Sequence, residues 1–215
     1  MAEKTETIHI LIADDHPVFR QGLHRAFAES CGLQVVAEAV NGSDLLEKVR
    51  AAKKVDIVLL DITMDGEWSL DYMKELKGEF PDLPVIVLSV YPEEHFAMRY
   101  IKAGASGYVT KESPLEILEQ AVRKVAAGGR FLSPEFMEKM AFNFSSSVKQ
   151  PHESLSNREF QVYRLLVSGV SLTAIAEKLF LSVKTVSTHR SRILQKMKME
   201  TNAELIQYAI FNKLI

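Results

Sequence analysis

Five times in the first 127 residues a short apolar run is followed by a stretch with helical spacing, and this repeat limits the possible folds more than any other feature. The apolar runs fall at 8–13, 33–39, 55–60, 84–89 and 107–109, and the amphipathic stretches near 17–30, 43–52, 69–78, 93–103 and 114–127. Strands that alternate with helices and carry consecutive apolar residues are covered on both faces. The pattern therefore predicts an α/β domain with a parallel, doubly wound sheet and right-handed crossovers.

The repeat stops at Gly128 and Gly129, which suit the left-handed backbone of a helix end. A linker follows. Ser133 before Pro134 has the form of an N-cap and a first-turn proline, so a short helix over 134–142 is expected. The polar run Ser145, Ser146, Ser147, Lys149, Gln150 and Pro151 reads as its flexible part. From Ser156 on, the signals are helical only. Ser156 with Glu159 three residues later is a capping box opening a helix to about Ser168, and Gly169 ends it. Helices are then expected over 172–179 and 183–198, with Phe180, Leu181 and Ser182 as a tight turn, and a last one capped by Asn202 and running to about Asn212. Helix, three-residue turn, helix is the spacing of a DNA-reading helix-turn-helix. The expected division is 7–127 for the α/β domain, 128–152 for the linker and 153–215 for an all-α four-helix domain.

Composition narrows the function classes. With 215 residues the chain exceeds a usual single core of roughly 100 to 150 residues, which favours two domains. At 47% hydrophobic and 25% charged it is neither a disordered nor a membrane chain. The first apolar run is interrupted by His9 and is too short for a signal or a membrane span. The single Cys31 allows no internal disulfide, and no Cys/His cluster has metal spacing, so a cytoplasmic location is expected. Charge divides unevenly: residues 1–150 hold 17 Lys and Arg against 23 Asp and Glu, and residues 151–215 hold 9 against 5. An acidic first part joined to a basic second part suits a module for an anion such as DNA attached to something else.

Asp14 and Asp15 end the first predicted strand and Asp61 ends the third. The carboxyl ends of strands in an open parallel sheet border the ligand crevice, so these carboxylates should converge. Crowded like charges need a cation, and Mg2+ suits one or two carboxylates together with phosphate oxygens. Ser89 and Lys111 follow the fourth and fifth strands and would place a hydroxyl and an ammonium beside a phosphoryl group on Asp61, the nucleophile. Singly, each residue has an ordinary reading as a cap or a solvated charge. Their joint occurrence, strand end after strand end, is much harder to obtain by chance.

In this order and at these strand ends, Asp14, Asp15, Asp61, Ser89 and Lys111 resemble the receiver domain of bacterial two-component systems over about residues 8–127. The resemblance implies a five-stranded sheet of order 2-1-3-4-5 and phosphorylation of Asp61 by a sensor histidine kinase. It also implies Mg2+ on Asp15, Asp61 and the Thr63 carbonyl, with Asp14 in or near the first shell. Ser89 and Tyr108 would form a switch pair, the hydroxyl drawn to the phosphate and the ring turning inward. Two positions depart from the family pattern: Asp65 stands where proline is common and Ser69 where glycine is common.

The segment 183–198 carries Lys184, Arg190, Arg192, Lys196 and Lys198 and no acid. At 100° per residue, Val183, Val186, Ile193 and Met197 share one side, while Lys184, Thr188, Ser191, Arg192 and Gln195 share the other. Ser182 should cap this helix. With Leu155 to Glu159, Ile175 to Leu179 and Lys184 to His189, the region 153–215 closely resembles the LuxR-type DNA-binding domain, and the two halves together resemble NarL/FixJ-class response regulators. By that resemblance Lys184, Thr185, Ser187, Thr188 and Ser191 approach bases or phosphates of double-stranded promoter DNA, and Arg190 and Arg192 mainly phosphates. The implied function is transcriptional regulation, with phosphorylation controlling homodimer formation and promoter binding. Two rivals stay open: an aspartyl-phosphate phosphatase, and a receiver used as a phosphate-independent docking module.

Overall fold

In a computed structural model, residues 6–64, 67–138, 150–212 and 214 are described. The chain divides into two compact units, 1–139 and 140–215. The first holds β1 (Ile8–Ala13), α1 (Pro17–Glu29), β2 (Leu33–Ala39), α2 (Gly42–Ala51), β3 (Ile57–Asp61), α3 (Leu70–Glu79), β4 (Val85–Ser89), α4 (Glu93–Lys102), β5 (Gly107–Thr110) and α5 (Leu115–Ala126). All five strands run parallel in the order 2-1-3-4-5, as the repeat and the resemblance implied.

Every residue of β3 and β4 is buried, because helices cover both sheet faces. Ile10, Ile12, Ile57, Leu59, Ile86 and Leu88 point to one face and pack with Leu23 and Phe27 of α1 and Leu118, Val122 and Val125 of α5. Each such side chain contributes roughly 1.5–3 kcal/mol when taken from water. The next residues along the same strands, among them Leu11, Val58, Leu60, Val85 and Val87, are equally buried. Period-two alternation places them on the other face. This packing holds the carboxyl ends of β1, β3, β4 and β5 in one row.

Residues 134–138 are helical and Ser133 Oγ accepts from the Phe136 N–H at 3.1 Å, which is the expected cap; the rest of the expected 134–142 helix lies outside the described residues, as do 145–149 of the polar run. Phe131 bridges to Gly107 in parallel, and the Tyr108 N–H donates to the Phe131 carbonyl at 3.0 Å. A Cβ on residue 107 would stand 3.0 Å from that carbonyl, so glycine permits the approach.

The second unit holds α6 (Asn157–Val167), α7 (Leu172–Lys178), α8 (Val183–Met197) and α9 (Asn202–Phe211), preceded by a 3-10 turn, Pro151–Ser154. Ser156, Ser171, Ser182 and Thr201 each accept an N–H from the first turn of the following helix. The last helix thus departs from expectation: Thr201, not Asn202, is its cap. Thr201 has the extended backbone a cap requires, and the Asn202 side chain is engaged elsewhere, accepting from Arg190 Nε at 2.7 Å.

Glu159 ties this unit together. Only 4% exposed, its carboxylate accepts from the Ser156 N–H at 2.7 Å and from Lys196 Nζ of α8 at 2.6 Å. Burial alone would raise its pKa, but the Lys196 ammonium and the Ser156 cap hold it below the ordinary glutamate value. A carboxylate depressed in the folded state adds stability above its unfolded pKa and loses it as pH falls through the folded value. Glu159→Gln keeps the capping box and removes the charge. It should therefore cost roughly 1 kcal/mol at neutral pH in denaturant unfolding, with the two proteins converging below about pH 4. A difference that stayed constant down to acid would contradict this origin.

Candidate functional site

Asp14, Asp15 and Asp61 do converge. Asp14 and Asp61 are buried and Asp15 is half-buried, and each offers an oxygen within 4.8 Å of the others and of the His16 ring. Lys111, one residue beyond β5, reaches in to place Nζ 2.6 Å from Asp14 Oδ2 and 2.9 Å from Asp61 Oδ2. The Phe19 ring of α1 lies under that ammonium, 4.6 Å away at its centroid. Burial raises the Asp61 pKa and the Asp14 charge adds to the rise, while the Lys111 hydrogen bond opposes it. One ammonium against three carboxylates leaves an excess of negative charge that a hard divalent cation fits.

His16 belongs to this cluster and was not singled out in the sequence. Its Nδ1 is 2.8 Å from Asp15 Oδ1, 3.1 Å from Asp14 Oδ1 and 3.7 Å from Asp61 Oδ2. The signal available was its place directly after the acidic pair and before Pro17. His16 is also the backbone N-cap of α1, without a side-chain cap, so neither aspartate serves as that cap. Beside the carboxylates opens a groove of about 710 Å³ between α1 and the segments after β4 and β5, lined in part by Val18, Phe19, Val90 and Leu115.

Ser89, at the end of β4, is fully buried, and its Oγ accepts from the Tyr91 N–H at 2.8 Å. Tyr108 is 2% exposed and its hydroxyl donates to the Tyr91 carbonyl at 2.9 Å. Burial pushes its phenol up, which keeps it protonated at any ordinary pH. Thr63 stands in a two-residue antiparallel pairing with Trp68, and its N–H lies 3.4 Å from Asp61 Oδ1.

Of the two departures from the family pattern, Asp65 lies outside the described residues. Ser69 is accommodated by a tyrosine. It is fully buried, its Oγ donates to the Ile62 carbonyl at 3.1 Å, and the Tyr100 hydroxyl, 3.2 Å away, donates to the same carbonyl at 3.1 Å. Two hydroxyls thus fix the backbone immediately after Asp61, and one of them comes from α4. The Ser69 φ of −69° needs no glycine.

In the second unit, α8 presents the predicted polar side: Lys184, Thr188, Ser191, Arg192 and Gln195 are exposed, and Thr185 and Ser187 are half-buried. Val186, Ile193 and Met197 are buried against the other helices, as expected. Val183 is not. It is 45% exposed, because the first residue of α8 lies at the turn before the other helices cover it. Thr188 Oγ1 donates to the Lys184 carbonyl at 2.9 Å and Ser191 Oγ to the Ser187 carbonyl at 3.1 Å. With their protons used internally, both hydroxyls face outward as acceptors, suited to base amino groups. Arg190 is half-buried and held by Asn202, unlike the exposed Arg192.

The acidic pocket at the strand ends and the helix-turn-helix unit thus stand on one chain, the plan of a DNA-binding regulator with a receiver-like domain. Residues 10–123 match the family model of the response regulator receiver domain, and residues 153–209 that of bacterial regulatory proteins, luxR family. The chain belongs to the NarL/FixJ class of two-component response regulators, DNA-binding proteins with a LuxR-type helix-turn-helix. It is 38% identical over 204 residues to response regulator GacA of Pseudomonas protegens, covering 94% of this chain and 95% of that protein. To oxygen regulatory protein NreC of Staphylococcus carnosus it is 33% identical over 214 residues, covering 96% and 98%. Among solved structures, RcsB from Salmonella enterica serovar Typhimurium, bound to promoter P1flhDC in the presence of the phosphomimetic BeF3-, aligns with a TM-score of 0.60 at 25% identity, covering 94% of this chain and 98% of that one. As a transcription regulator of this family the chain is not an enzyme, which removes the phosphatase rival.

Proposed function

We propose that a sensor histidine kinase phosphorylates Asp61 and that this controls homodimer formation and promoter binding by the second unit. The observation that carries the reading is the Lys111 ammonium, which bridges Asp14 and Asp61 at 2.6 and 2.9 Å inside a carboxylate cluster. An Asp61 carboxylate oxygen attacks the phosphorus of the kinase's phosphohistidine, and the P–N bond breaks as the O–P bond forms. The imidazole leaves with the kinase and takes up a proton from water, and Lys111 stabilises charge developing on the transferred oxygens. Asp14, Asp15, Asp61 and the Thr63 carbonyl would hold Mg2+, which when bound neutralises the phosphoryl oxygens. His16 prefers a different task, since Mg2+ favours oxygen; its ring nitrogen stays with the carboxylates.

Phosphoryl oxygens on Asp61 would draw the Ser89 hydroxyl away from the Tyr91 N–H. Tyr91 also accepts from Tyr108, so the loop after β4 would shift and the surface of α4 and β5 with it. A local charge event then biases a pre-existing equilibrium. On the DNA side, Lys184, Thr185, Ser187, Thr188 and Ser191 would approach bases or phosphates, and Arg190 and Arg192 phosphates. The receiver would span 7–127, the linker 128–152 and the DNA-binding domain 153–215. Among the described residues no helix is long and apolar enough to cross a membrane. A regulator with a LuxR-type DNA-binding domain would act in the cytoplasm, where bacterial promoter DNA lies.

Incubation with Mg2+ and a small phosphoryl donor tests the reading. The intact mass should rise by one phosphoryl group, the modification should be lost in mild alkali, and a chelator added beforehand should abolish the gain. An unchanged mass with Mg2+ present would remove the phospho-switch while leaving DNA binding in place.

A further inference from the structure

Phe180 leaves 88% of its surface open to solvent. It stands in the turn between α7 and α8 at φ +52°, as the left-handed residue that closes α7. Its N–H donates to the Glu177 carbonyl at 3.2 Å and the next N–H, of Leu181, to the Ala176 carbonyl at 2.8 Å, a paired ending usually built on glycine. Phenylalanine there carries backbone strain and gains no burial, so nothing among the described residues of the unit accounts for it. Three residues on, Val183 opens α8 with 45% of its surface exposed. The two put exposed apolar surface at one spot, the start of the helix that presents the polar side.

The surroundings decide what covers this spot. Helix α8 contains Lys184, Arg190, Arg192 and Lys196 and no acidic residue, so a partner lying along it carries negative charge. Ser182 Oγ accepts the Thr185 N–H, and the first amides of α8 lie beside the spot, oriented as such amides are for phosphate. A duplex offers both surfaces at once, since each phosphate is flanked by deoxyribose carbons.

We propose that Phe180 and Val183 make an apolar contact with the deoxyribose carbons of one DNA strand, next to the phosphate received by the first turn of α8. The contact rests on the reading of α8 as the helix laid against DNA. It reads no base, and it neutralises no phosphate. Its loss therefore weakens binding to every sequence alike and leaves the salt dependence unchanged, which no basic residue would do.

Phe180→Asn is the variant of choice, because asparagine tolerates the left-handed backbone. Full-length protein is titrated against a duplex selected from a random pool and against a random-sequence duplex, at several salt concentrations. Affinity for both should fall roughly fivefold to tenfold, with the slope of log Kd against log salt equal to that of the parent. Val183→Ser should lose roughly threefold in the same way, and the melting temperature of Phe180→Asn should be equal to the parent's or higher. Arg192→Ala is the control. If it weakens binding while Phe180→Asn binds within twofold of the parent, the inference is overturned and Phe180 faces a protein instead. If neither variant changes binding, the placement of α8 on DNA fails and the inference with it. A changed salt slope for Phe180→Asn would also overturn it.

Discussion

Asp61→Asn is expected to leave the intact mass unchanged after incubation with Mg2+ and a small phosphoryl donor, under conditions that convert the parent protein. Asparagine keeps the shape of the side chain and removes the anionic nucleophile. The neighbouring carboxylates do not replace it, because Asp14 is fully buried with one oxygen on Lys111, and Asp15 lies 2.8 Å from the His16 ring nitrogen. Lys111→Ala separates attack from charge stabilisation. It keeps the acceptor and loses the ammonium 2.9 Å from it, so phosphorylation should continue at about a hundredth of the parental rate. That variant also strands two buried carboxylates, a change that typically costs about 3–5 kcal/mol. Its unfolding should therefore be measured beside its phosphorylation, with Mg2+ present and absent. Phosphorylation of Asp61→Asn at the parental rate would falsify the assignment of the acceptor.

On the DNA side, the largest expected effect comes from comparing Thr188→Ala with Arg192→Ala. Thr188 is exposed on α8 with its hydroxyl proton bound to the Lys184 carbonyl, so it offers lone pairs to a base amino group. Removing it should cost about 1–3 kcal/mol on the selected duplex, at one base pair, and nothing on random sequence. Arg192 is exposed on the same side and would hold a phosphate. Arg192→Ala should weaken all sequences alike and flatten the slope of log K against log salt by about 0.9, since one phosphate is no longer neutralised. Equal losses on every duplex for both variants would contradict the division of roles. Arg190 should show the weaker salt effect of the two arginines, because Asn202 already holds its guanidinium.

Much of the first unit was legible in the chain. The strands were placed to within about two residues, since a short, mostly apolar run bounded by polar residues has few other uses in an α/β pattern. The acidic doublet, Asp61 and Lys111 were legible for the same reason: strand ends fix which residues face the crevice. The cap of α9 is not legible in the chain, because Asn202 and Thr201 are both good caps in sequence, and only the partner waiting on α8 takes the asparagine out of that role. Periodicity puts Val183 on the packed side, yet it is exposed, because helical spacing gives direction and says nothing about where neighbouring helices stop.

The sequence by itself determined the order of elements, the parallel sheet, the two-part plan and the residue types gathered at the carboxyl ends of the strands. These follow from local periodicity, which every few residues of the chain carry. Only the tertiary structure decided which charges are balanced: that Lys111 lies between Asp14 and Asp61, that His16 joins the carboxylates, and that Tyr100 makes Ser69 acceptable beside the acceptor loop. It alone also left Phe180 uncovered. Such facts depend on where side chains end up relative to one another and to neighbouring helices, and packing sets those positions where periodicity does not reach.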